Sequence, residues 1–172
     1  MPRLRDATIE ALDQVRSLIN SVKVEQDVAG NLYAVSGIGR HVRHVVDHFR
    51  ALQAGIESGT VDYNIRHRES EMESQAELGL FEIDRLILWL QSSAPTDDSP
   101  VAVISEISCL HDESRRFDSN VRRELLYLIN HSIHHAAYAA LLARENGVKP
   151  DAGIGLAPAT ASYLRHDRAE CA

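Results

Sequence analysis

The stretch from Asn130 to Tyr138 sets His131, His134 and His135 into an otherwise apolar run. Imidazole binds divalent metal ions through a neutral ring nitrogen, and it is also the side chain that exchanges protons near neutral pH. His131 and His135 are four residues apart. On a helix they lie one above the other, with Cβ atoms about 6 Å apart, and two rings so placed can grip one ion. His134 points about 100° away from His135 and stands outside that pair. A buried neutral imidazole needs partners for both nitrogens; a metal on one and a hydrogen bond on the other supply them.

A second group, His41, His44 and His48, runs along one flank of the stretch GRHVRHVVDHFRAL, beside an apolar stripe centred on Val45 and Phe49. One of these three would complete a three-histidine site. Three neutral nitrogens with an open fourth position is the arrangement of catalytic zinc, and imidazole equally suits nickel, copper and iron. The competing reading of this flank is a half-exposed polar edge interacting with Asp47 or neighbouring acids. Other chemistries lack their patterns. No Glu has a His three positions later, which removes the di-iron carboxylate bundles, and HExxH, GxSxG, a P-loop and GxGxxG are absent. Cys109 and Cys171 lie far apart without a CxxC, and imply neither a disulfide framework nor a cysteine-based zinc site.

The elements that must carry these residues are mostly helical. Leu4, Ile9, Leu12, Val15, Leu18, Ile19 and Val22 recur at three- and four-residue steps, predicting a helix from Leu4 to about Val28. A second helix opens near Ser36, read as its N-cap, and runs to about Ser58. The polar stretch VDYNIRHRESEMESQ connects it to a third helix, which begins in the second half of that stretch and carries ELGLFEIDRLILWLQSS until APTDDSP breaks it. Val101, Val103, Ser105 and Ile107 favour an extended segment or short β-hairpin between the third and fourth helices. Ser119 is read as the cap of the fourth helix, which stops at Gly147, and the tail holds one short helix. Four amphipathic helices in one domain spanning residues 1–172 predict an all-α fold packed as a four-helix bundle.

The stretches SGIGRHVRHVVDHF and LINHSIHHAAYAALL, with the order and length of the helices, resemble the DinB-like (damage-inducible) metal-binding four-helix bundles. The resemblance implies an up-down-down-up bundle, a divalent ion, zinc or nickel, held by His44, His131 and His135, a water on the open position, and a homodimer. Some members are thiol-dependent S-transferases or isomerases. A metal-dependent transferase or hydrolase acting on a small-molecule substrate, such as a low-molecular-weight thiol, is therefore expected, with a non-catalytic metal-binding dimer in stress response as the alternative. For the enzyme, the metal would lower the pKa of a bound water or thiol, and His48, one turn beyond His44, is the candidate general base or second-sphere partner. Asp47 and Glu124 are candidate orienting carboxylates, Glu124 being too far along its helix from His131 to ligate directly. Tyr63, Arg66, Arg68 and Glu71 would line a polar pocket mouth or form a solvated loop. The segment from Val101 to Asp118 looks inserted, as a lid or a dimer edge.

The totals agree with such a chain. With 172 residues, 44% hydrophobic and 25% charged, it has the balance of an ordinary globular protein. A net charge of -7 opposes nucleic-acid and membrane-surface partners, since phosphate binding needs clustered Lys and Arg. The N-terminus MPRLRDATIEALDQ carries charges where a secretory signal places apolar residues, so the expected compartment is the cytoplasm.

Overall fold

The structure, a computed structural model, describes residues 4–24, 31–92 and 98–170. Its elements in chain order are α1 (Leu4–Val24), α2 (Leu32–Val35), α3 (Ile38–Ser58), β1 (Thr60–Asp62), a 3-10 turn (Glu71–Glu73), α4 (Ala76–Ser92), β2 (Pro100–Glu106), β3 (Ser114–Asn120), α5 (Val121–Glu145) and α6 (Pro158–Glu170). The long helices α1 and α3 each pack against both α4 and α5. Their apolar stripes meet in a core that includes Leu12, Leu18, Val45, Phe49, Leu52, Ile83, Leu90, Leu125 and Leu128. Burial of this kind is the main source of stability for each amphipathic helix, worth about 1.5–3 kcal/mol for each large side chain fully buried. No helix among the described residues is long and apolar enough to cross a membrane.

The expected all-α, up-down-down-up bundle is corrected by a three-stranded mixed sheet, and the fold is mixed α/β. β2 and β3 pair antiparallel, with Val103 opposite Phe117, where Val101 and Val103 favoured extended chain. β1 pairs parallel to the other edge of β2, Val61 opposite Val103, and gives the sheet the order β1-β2-β3. Val61 is fully buried and belongs to the same core as the helices, so the sheet is part of the packing. β1 is three residues long, too short for a period-2 pattern to stand out, and its partner is about forty residues away across α4. Gly55 lets it pack closely. A Cβ at that position of α3 would stand 2.4 Å from Val61 Cγ2 and 2.8 Å from Val61 Cα.

Several boundaries also shift, and α4 begins at Ala76, after the polar stretch and its 3-10 turn rather than within it. Ser36 ends α2, where its hydroxyl donates to the Leu32 carbonyl, and the N-cap of α3 is Gly37 at φ 83, a left-handed conformation that glycine adopts without strain. Asn120 caps α5 by accepting from the Arg123 N–H at 2.9 Å, while Ser119 turns its hydroxyl to Glu124. α1 is described to Val24 and α4 to Ser92; the expected continuations to Val28 and Ser93 lie outside the described residues.

Candidate metal centre

Where α3 packs on α5, two ladders of side chains face each other. On α3 it is His41, His44 and His48; on α5 it is Glu124, Tyr127, His131, His135 and Tyr138, each three or four residues from the next and so on one face. The imidazoles interleave. The ring of His44 lies 4.4 Å from that of His48, 4.9 Å from His131 and 4.5 Å from His135, and His131 is 4.1 Å from His48 and 4.5 Å from His135. His44, His131 and His135 are thus brought together, and His48 is drawn in beside them. His134 is exposed.

His44, His48 and His131 each offer a nitrogen within 4.8 Å of the others, close enough to hold one metal ion. Among the described residues Nε2 of His131 is buried without a hydrogen-bond partner, a loss of about 1–3 kcal/mol that a cation on this nitrogen would recover. The residues present therefore fit a metal.

Two hydrogen bonds orient the rings from behind. Nδ1 of His48 lies 2.9 Å from the backbone carbonyl of His44; a carbonyl only accepts, so Nδ1 carries the proton and Nε2 keeps its lone pair for an ion. Nδ1 of His135 lies 2.9 Å from Nδ1 of His41, one donating and the other accepting, which leaves Nε2 of His135 free of that bond. The expected orienting carboxylates act elsewhere. Asp47 accepts from Arg43 at 3.0 Å, from the His67 N–H at 3.1 Å and from His67 Nδ1 at 2.7 Å. Glu124, fully buried, accepts from the Tyr63 hydroxyl at 2.7 Å, from Arg123 at 2.8 Å and from Ser119. Among the described residues neither touches a clustered histidine through a hydrogen bond.

The electrostatics keep the cluster neutral. Burial, followed by the mutual charge of the other rings, pushes His44 down to about 2 and His131 and His135 to about 3. Burial likewise lowers His48 to about 4, against the opposing bond to the His44 carbonyl. All four are unprotonated at neutral pH, the state that ligates. Arg66 contributes positive charge to each of the four.

Tyr63 and Tyr127 wall the cluster. Tyr63 stacks on His48 at 5.0 Å, and Tyr127 stacks on His131 at 5.3 Å. Their other side borders a cleft of about 560 Å³, also lined by Glu124, Arg123, Phe117 and Ser119. The 101–118 segment thus supplies a cleft wall through β2 and β3. Of the loop residues, Tyr63 lines this cleft and Arg66 is half-buried, whereas Arg68 and Glu71 are exposed. Tyr127 and His67 carried no role in the sequence reading. Tyr127 was within reach, since it stands four residues before His131 on the same face. No family model, no curated protein and no solved structure matches the chain.

Proposed function

We propose that this protein holds one divalent ion, zinc or nickel, on His44, His48 and His131, and that it acts as a metal-dependent transferase or hydrolase on a small molecule, such as a thiol-linked one. The convergence of three neutral imidazole nitrogens within 4.8 Å carries the reading. The resemblance to DinB-like proteins supports it through His44 and the His131/His135 pair, and differs in giving the third position to His135. The engaged Nδ1 of His48 leaves Nε2 as the nitrogen this ring can offer an ion.

When bound, the ion would bring the pKa of a coordinated water or thiol toward ~7. The chain's own residues do the rest. Tyr63 and Tyr127 keep solvent off the rings of His48 and His131 on the cleft side. His135, hydrogen-bonded through Nδ1 to the half-buried His41, is held with its ring 4.5 Å from both His44 and His131. The cleft of about 560 Å³ beside the two tyrosines has room for a small substrate.

The nearness of His135 favours a second reading. Its ring is 4.5 Å from both His44 and His131, so a fourth nitrogen is at hand to close the coordination sphere, and a closed site would make the protein a non-catalytic metal binder. Elemental analysis of the untagged protein after reconstitution is expected to find about one ion per chain. His44→Ala and His131→Ala should each abolish it. His48→Ala should reduce retention more than His135→Ala if His48 is the third ligand. Full retention by His44→Ala and His131→Ala would remove the site. A cobalt-loaded protein whose visible spectrum changes on adding 2-mercaptoethanol has an open position; an unchanged spectrum favours the closed binder.

A further inference from the structure

We propose that Arg66 anchors an oxyanion at the histidine cluster, so that the molecule received there carries a carboxylate or phosphate beside the group it presents to the ion. The inference rests on the metal-binding reading above.

Arg66 is held near the cluster by contacts on either side of it in the chain. Its Nη1 donates to the carbonyl oxygen of Tyr63, the residue whose ring covers His48. The next residue, His67, is held through its backbone N–H and Nδ1 by Asp47, which is buried on α3 and immediately precedes His48. The half-buried guanidinium therefore sits on a loop fastened at two points around the metal centre. Its charge reaches all four rings and lowers their affinity for protons.

Among the described residues Arg66 pairs with no carboxylate, although Arg43, Arg50, Arg85 and Arg123 each do. The two acids that could neutralise it are engaged. Asp47 serves Arg43 and His67, and Glu124 serves Tyr63, Ser119 and Arg123. The candidate ligands are all neutral imidazoles. A divalent ion on them would be repelled by that guanidinium, whose charge Asp47 offsets only in part because it also serves Arg43 and His67. An anion touching both relieves that repulsion. A guanidinium presents a planar fork of N–H donors that matches the two oxygens of a carboxylate or phosphate, which selects an oxyanion over a halide.

The test uses the cobalt(II)-loaded full chain, titrated separately with acetate and with inorganic phosphate and followed by the visible absorption of cobalt. Chelator competition measures cobalt affinity on its own. The expected result is that at least one anion shifts the spectrum at millimolar concentration; which of the two does so identifies the class. Arg66→Gln should weaken that anion by about 10- to 100-fold, the worth of a charge-assisted hydrogen bond. Arg66→Lys, which keeps the charge without the fork, should weaken it less. Arg66→Gln should also bind cobalt as tightly as the native chain or more tightly, because a repelling charge is gone. A merely structural arginine would instead lose both. Equal anion affinity in Arg66→Gln, parallel loss of cobalt and anion, or a native spectrum indifferent to both anions overturns the proposal and leaves the metal site standing. Failure of the native chain to bind cobalt overturns both.

Discussion

Four imidazoles crowded between two helices are costly to charge, and this makes the cluster an acid-sensitive feature of the fold. The folded values of His44, His48, His131 and His135 lie at about 2, 4, 3 and 3, while unfolded imidazoles titrate near ~6.5. Between those limits the unfolded chain takes up protons that the folded cluster refuses. Stability is therefore fully present above about pH 6.5 and is lost as pH falls toward the folded values. The metal-free protein should show a free energy of unfolding that declines from pH 7 to pH 5. His48→Phe, which keeps an aromatic ring against Tyr63 and removes one titrating group, should make the decline shallower. Denaturant unfolding at several pH values measures both slopes; identical slopes would contradict this account. The residues concerned were partly visible in the sequence, because spacing of three and four on a helix is enough to align His44 with its neighbours and His131 with His135. His48 was one of three histidines open to complete the site, and spacing left the choice among them undecided. That choice depends on a rotamer that lets Nδ1 of His48 reach the carbonyl one turn back, and rotamers leave no trace in spacing. Arg66 was legible only as one residue of a pocket mouth or a solvated loop, since its loop is held to α3 by the contact of Asp47 with His67, twenty residues away.

At the scale of elements, the helices were legible and the sheet only half so. Apolar periodicity fills α1, α3 and α5, and Val101 and Val103 mark β2 as extended. β1 escaped notice because Thr60, Val61 and Asp62 become a strand only through pairing with β2 and packing on α3. That packing depends on a close approach at Gly55, where a methyl group would meet the Val61 backbone nitrogen at 2.9 Å and its Cα at 2.8 Å. Neither atom can turn aside. Gly55→Ala should force β1 away from α3 and destabilise the protein by about 1–3 kcal/mol, the usual cost of overpacking. For a chain of this length that corresponds to a melting temperature lower by roughly 2–12 °C, readable by calorimetry. An unchanged melting temperature would mean that β1 is not held by this contact. Because Tyr63 directly follows β1 and its ring stacks on His48, the same variant should also weaken metal binding without touching a ligand.

For the whole molecule, the candidate metal centre brings together histidines that are more than eighty residues apart in the chain. His44 and His48 belong to α3 and His131 to α5, so an ion on them would add a link across a helix interface that the apolar core and the His41–His135 hydrogen bond already join. The unfolded chain has no such preformed triad, and binding to the folded state alone shifts the equilibrium by mass action. With free ion at about a hundred times its dissociation constant the gain is about 2.7 kcal/mol, or roughly 5–10 °C in melting temperature for a protein of this size. A chelator should return the melting temperature to the metal-free value. The increment should vanish in His44→Ala and His131→Ala, whose own metal-free stabilities supply the baseline. It should survive in Arg66→Gln, since that residue repels the ion. Superimposable melting curves with zinc, with nickel and with chelator would show that the imidazoles pack against one another as a core feature and that no ion is needed to explain them.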